Sequence, residues 1–293
     1  MSLPEPDVHG VWSFGPTLLE SHREHLARLA VAVPQEELVT RAVPTAAALH
    51  DAEEWLSVRR RSRRGRPLVA VEPHADDMVL SAGGFALTCG RPLHTVTVFS
   101  EGSSLHYEYD NVVRADRSTV TQWRHRESTT ASELLSATSE SLGLAEAPVG
   151  SGMSSCGVTE LVDFLSDALE RWRGAELLAP AAVSTHPDHL AVHTAARKLG
   201  CTLFWDDTSV HGGYAQSVDD SMLFSLRVGA DLAQDDIDIT DAVLDKVTLL
   251  RVYRTQIRPE RDLHKPIRYN WTTACRAGLA SPYAERFHRL LHP

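Results

Sequence analysis

Cysteine is scarce in this sequence and carries no pattern. The four cysteines, Cys89, Cys156, Cys201 and Cys275, lie far apart with no C-x-x-C spacing. That excludes a disulfide framework and a thiolate zinc knuckle, and reads as reduced thiols in a cytoplasmic protein. Long apolar runs are missing, so no stretch is suited to span a bilayer. The N-terminal stretch carries Glu5 and Asp7 and no apolar core, so no secretory signal is expected. Positive charge is in deficit: the formal net charge is −10, which argues against a nucleic-acid or anionic-membrane partner. Internal repeats and low-complexity tracts are also lacking. What remains is an ordinary globular composition, 43% apolar and 23% charged, with length enough at 293 residues for one large α/β domain or two small ones.

The order of the chain fits one main domain with an extension. Residues 17 to 60 show apolar positions at helical spacing, interrupted by Pro34 and Pro44. Residues 1–66 are therefore expected to form an N-terminal helical extension, and residues 67–293 the main domain. The basic run Arg59-Arg60-Arg61-Ser62-Arg63-Arg64-Gly65-Arg66 has no interleaved aromatics and reads as a solvated helix end and linker rather than a nucleic-acid patch. From Pro67 on, strands and helices alternate. Strands are expected at Leu68–Val71, His94–Phe99, Ala175–Ala182, Thr202–Trp205 and Met222–Val228. Helices are expected at Val79–Leu87, Gln122–Leu142, Gly157–Trp172, Asp188–Leu199, Thr240–Gln256 with Thr240 as N-cap, and Pro282–Leu291. Glu101 to Val120 reads as a long polar loop. The alternation predicts a Rossmann-like α/β/α sandwich of three layers, with a mostly parallel sheet covered on both faces.

Histidine is abundant, at 15 residues, and spacing must select among them. Two clusters stand out. The apolar run Leu68-Val69-Ala70-Val71 leads through Glu72-Pro73 into His74-Ala75-Asp76-Asp77. Later, Ala175–Ala182 leads into Thr185-His186-Pro187-Asp188-His189. Each cluster follows a predicted strand, where open α/β sheets place their ligands. Two imidazoles and a carboxylate suit a divalent metal with open coordination positions. His74 and Asp77 are one turn apart, and His189 can complete the set. Asp76 is then left beside the metal, suited to take a proton from water and deliver it to a leaving amine. His186 is suited to stabilise an oxyanion, and Asp188 to orient or charge one of the histidines. His193, one turn beyond His189, reads as a helix-surface residue rather than a ligand.

At these residues the sequence resembles the PIG-L/LmbE-like zinc-dependent de-N-acetylases. The first motif of that family stands here as Pro73-His74-Ala75-Asp76-Asp77-Met78 followed by Val79-Leu80-Ser81-Ala82-Gly83-Gly84. The second stands as His186-Pro187-Asp188-His189. Weaker echoes are Arg124-His125-Arg126-Glu127, Lys246 with Tyr253 and Gln256, and Ala284-Glu285-Arg286-Phe287. The resemblance implies a Rossmann-like fold, one Zn2+ held by His74, Asp77 and His189, and Asp76 as general base. It also implies His186 as oxyanion stabiliser or acid with Asp188 behind it, and Arg124 as a substrate contact. The implied reaction is hydrolysis of an N-acetyl or related amide on an amino sugar or similar small metabolite. Met78 replaces the family's usual Glu, and Ala75 its usual Pro.

Two other function classes fit parts of the pattern. His74, Asp76 and His189 match the ligand set of a non-haem iron oxygenase, although the strand–helix alternation speaks against a jelly roll. A pocket that binds small molecules without turnover is the other. A dinucleotide-binding dehydrogenase is disfavoured, since no G-x-G-x-x-G follows the first strand.

Overall fold

The computed structural model describes residues 64–102, 116–147, 155–183, 186–208, 229, 231–257 and 262–291. The predicted helices between 17 and 60 and the predicted strand Met222–Val228 lie outside these. The first strand, β1 (Leu68–Glu72), is buried along its whole length. It is followed by α1 (Asp77–Thr88), β2 (Leu93–Thr97), α2 (Arg117–Leu134), β3 (Thr138–Ser141), α3 (Val158–Leu169) and β4 (Glu176–Pro180). Then come α4 (Pro187–Lys198), β5 (Leu203–Trp205), β6 (Leu232–Asp238), α5 (Val243–Leu250), α6 (His264–Arg276) and β7 (Ala284–Leu290).

One sheet of seven strands runs in the order β3-β2-β1-β4-β5-β7-β6. The five strands from β3 to β5 are parallel, and β7 pairs antiparallel with both β5 and β6. Side chains of β1 alternate between two cores. Leu68 and Ala70 pack with α1, α5 and α6 on one face, while Val69 and Val71 pack with α3 and α4 on the other. That is the three-layer α/β sandwich expected from the sequence. The strand order reverses at the β1–β4 pair, because the chain goes outward from β1 to β2 and β3 and then returns to β4. A crevice opens at the carboxyl ends of two strands that diverge in this way.

Several elements differ from the sequence reading, each for a physical reason. Pro282–Leu291 was expected to be a closing helix, and it holds β7. Its apolar residues Ala284, Phe287 and Leu290 fall three apart and mimic a helical stripe. Burial of Glu285 and His288 on the covered sheet hides the strand pattern. The helix expected over Gln122–Leu142 is instead α2, which starts at Arg117 with the Asp116 carboxylate accepting from Thr119 N at 2.8 Å. It stops before Ser136, whose φ of 51° turns the chain, and β3 follows. That strand is an exposed edge strand with no apolar alternation. The helix expected over Thr240–Gln256 reduces to a short 3-10 turn at Thr240–Ala242 and then α5. Thr240 does not cap it; its hydroxyl accepts from Tyr283 N at 3.4 Å. Strand β6 and helix α6 had no prediction. Cys89, Cys156, Cys201 and Cys275 are all free. Among the described residues no helix is long and apolar enough to cross a membrane.

Helix α1 is the element on which the first cluster rests, and it is broken. Ala82 leaves helical geometry, with φ −131° and ψ 17°. The kink frees backbone N–H groups that must find acceptors. Glu285 of β7 supplies them: its carboxylate accepts from Gly84 N at 2.9 Å and Phe85 N at 2.7 Å. An anion at the N-terminus of the second helical piece is favoured by the helix dipole. Lys246 of α5 donates to Glu285 at 2.7 Å and to Asn270 at 3.0 Å. All three are fully buried. Gly84 is required for the close approach, since a Cβ there would meet Ile239 at 2.8 Å. Glu285→Ala leaves the Lys246 ammonium buried and unpaired, so denaturant unfolding is expected to show a loss of about 3–5 kcal/mol.

Candidate metal centre

The first cluster leaves β1 through Pro73. His74 sits in the turn, Asp76 occupies the N-cap position of α1, and Asp77 opens the helix. The second leaves β4, turns at Ala182 in the left-handed region with φ 56°, and enters α4 with His186 as N-cap and Pro187 in the first turn. Because β1 and β4 are neighbours, the two clusters meet. His74, Asp77 and His189 each present a donor atom to one shared point, all within 4.8 Å of one another. Asp77 Oδ2 lies 3.2 Å from His74 Nδ1 and 3.2 Å from His189 Nε2. The same oxygen accepts from His74 N at 2.8 Å. Two imidazoles and one carboxylate, mostly buried and convergent, are a donor set that fits a zinc ion with an open position for water.

The remaining sequence-selected residues surround this point. Asp188 is fully buried; its Oδ2 lies 3.2 Å from His74 Nε2 and accepts from Ala147 N at 2.9 Å. His186 stacks edge-on to His74 with ring centroids 5.2 Å apart and lies 5.3 Å from His189. Its Nδ1 accepts from Asp188 N at 3.3 Å. Arg124, on α2, is 5% exposed and paired with Glu146. A Cβ at Gly102 would meet the charged ends of both side chains, which would have to shift to admit it. His193 is buried rather than on a surface, with Nδ1 2.9 Å from Pro180 O and its ring against Phe204. It lies outside the donor groups.

Burial and mutual charge set the ionisation of the cluster. Burial first, and then the Asp77 charge, push Asp76 up to about 6, while Arg124 and His74 oppose the rise. Asp77 is held well below the usual carboxylate range, because the His189 and His74 imidazoles outweigh its burial. Burial would lower His74, but Asp188 and Asp77 raise it to about 9. His189 is likewise raised, against its burial, by Asp77 and Asp207. His186 is pushed down to about 4 by burial and by its two histidine neighbours.

Three participants escaped the sequence reading. Glu72, the last residue of β1, is buried and accepts from Thr97 Oγ1 at 2.7 Å and Met78 N at 3.1 Å. It holds the first turn of α1 to the sheet. The Met78 side chain, where the resembled family has Glu, is core. Glu146 holds Arg124, and Asp207 follows β5 with Oδ1 3.1 Å from His189 Nδ1. A carboxylate at or near the end of an apolar strand was the available signal for Glu72 and Asp207, but it is too common to select them.

With this geometry in view, similarity to known proteins becomes informative. Residues 69–199 match the model of the PIG-L family, described as GlcNAc-PI de-N-acetylase. A 2'-N-acetylparomamine deacetylase from Streptomyces fradiae is 33% identical over 237 residues, 74% of this chain and 82% of that protein. The chain belongs to the PIG-L family. Among solved structures, the A40926 pseudoaglycone deacetylase superposes with a TM-score of 0.58 at 20% identity, over 79% of this chain and 98% of that one. A 4-carboxy-2-hydroxymuconate hydratase from Pseudomonas putida has a TM-score of 0.54 at 18% identity, over 78% and 98%. The PIG-L fold thus serves more than one reaction, and the site must decide which. The jelly roll of the iron-oxygenase reading is excluded by the parallel sheet, and Asp77, not Asp76, stands between the two histidines.

A metal held at this point would compete with protons for the same imidazoles. Ligand histidines must be neutral, and without metal the carboxylates hold His74 protonated up to a pH of about 9. Zinc affinity, measured by chelator competition, is therefore expected to climb as pH rises through the neutral range toward about 9.

Proposed function

We propose that this PIG-L family member is a zinc-dependent amide hydrolase that removes an N-acetyl group from an amino sugar or related small metabolite, releasing a free amine and acetate. The observation that carries this reading is the convergence of His74, Asp77 and His189 with Asp76 beside them. The related 2'-N-acetylparomamine deacetylase favours an N-acetylated aminoglycoside precursor as the substrate class.

His74, Asp77 and His189 would hold the metal. Bound there, zinc would supply an acidified water and polarise the amide carbonyl. Asp76 takes the proton from the attacking water and returns it to the leaving nitrogen. Its carboxyl, raised to about 6, is ionised at neutral pH yet basic enough for that transfer. Arg124 is mostly buried and engaged by Glu146, so we assign it to keeping Asp76 anionic rather than to gripping the substrate. His186 is neutral at pH 7. Its Nδ1 accepts a backbone N–H, which places its proton on Nε2 as a donor for the tetrahedral oxyanion. Asp188 orients His74 from behind. The partner is a small molecule.

Acetate and amine release from 2'-N-acetylparomamine and a panel of N-acetyl amino sugars tests this reading. Asp76→Asn is expected to keep the metal and lose about 10²–10⁴-fold in turnover. His189→Ala is expected to lose both. Turnover in Asp76→Asn equal to wild type contradicts the base assignment. Zinc binding without release from any acetylated sugar contradicts the substrate class.

A further inference from the structure

Among the described residues, Asp207 is a carboxylate that meets the metal-ligand set from outside both motifs. It follows β5, the strand next to β4, and is 2% exposed. Its Oδ1 lies 3.1 Å from His189 Nδ1. Its Oδ2 is buried with no hydrogen-bond partner. A buried carboxylate with an unsatisfied oxygen is costly to keep, so packing alone is a poor reason for it. Its neighbours are pinned on both sides. Asp206 accepts from Tyr269 Oη at 2.6 Å and meets His288 Nε2. Thr208 N donates to Ser81 Oγ of α1 at 3.0 Å. The short segment Asp206-Asp207-Thr208 is thereby clamped between β7, α6 and α1, with Asp207 aimed at His189.

We propose that Asp207 is a positioning residue for the metal centre, an assignment that rests on the metal-site reading above. A neutral imidazole has one N–H. With it donated from Nδ1 to Asp207, the Nε2 lone pair is left on the side of Asp77, 3.2 Å away, where the donors converge. The carboxylate fixes the tautomer and ring orientation, and raises the basicity of His189 toward a cation. The site is then backed twice, with Asp188 behind His74 and Asp207 behind His189. The first backing lies within the second motif; the second is supplied by β5.

The test is zinc affinity of the purified full-length protein, measured with Zn2+ alone against a chromophoric chelator. Asp207→Ala is expected to bind zinc about 10–100-fold more weakly than wild type. Asp207→Asn keeps an acceptor for Nδ1–H and is expected to fall between the two; it also serves if the alanine variant does not fold. Asp206→Asn measures the effect of loosening alone: its contacts lie on Tyr269 and His288, so it should lower Tm and weaken zinc binding by much less than Asp207→Ala. Wild-type affinity in folded Asp207 variants overturns the proposal. So does an equal loss in Asp206→Asn, which would mean general loosening at the end of β5. A wild-type chain that binds no zinc overturns the metal site itself, and is recognised before any variant is made.

Discussion

One carboxylate oxygen ties the molecule together at its functional end. Asp77 Oδ2 receives the backbone N–H of His74 and faces the rings of His74 and His189 at equal distance. The first ring belongs to the turn after β1 and the second to the first turn of α4. No local sequence preference brings those segments together. They meet because β1 and β4 are parallel neighbours at the point where strand order reverses.

The clustering is electrostatically expensive, and much of the surrounding structure serves to contain it. Glu72, Asp76, Asp77, Glu127 and Asp188 are all buried within the same end of the sheet. Arg124, itself buried, is the cation set among them, and its charge acts on Asp76 and Glu127. Thr255 donates both its amide and its hydroxyl to Glu127. Thr97 and Met78 N do the same for Glu72. Farther along α1, the Lys246–Glu285 pair holds the kinked helix against the sheet. Retaining so many ionisable groups in a dry region stabilises nothing by itself; a dication placed among them is the natural counterweight.

Much of this was legible in the residues. The alternation of apolar runs and amphipathic stretches reads directly as a covered parallel sheet, and the two His/Asp clusters each mark a strand end. What stayed hidden was of two kinds. Strand β7 buries polar residues, β6 is only half-buried, and β3 is a polar, mostly exposed edge, so periodicity misreports all three. Glu285 and His288 are buried for their hydrogen bonds, not their hydrophobicity. Glu72, Glu146 and Asp207 act through long-range contacts, and a solitary acidic residue carries no spacing from which such a contact can be inferred. Met78 shows the complementary effect: a departure from the family motif that looks chemical in sequence is a packed core side chain in three dimensions.

The central claim is that His74, Asp77 and His189 bind a catalytic divalent ion. Its most direct test is stepwise zinc reconstitution of chelator-stripped protein, with bound metal and acetate release followed in the same samples. Acetate release that rises in proportion to bound zinc and saturates near one ion per chain is the predicted result. Undiminished release from the stripped protein, or saturable zinc binding that survives loss of both His74 and His189, would contradict it.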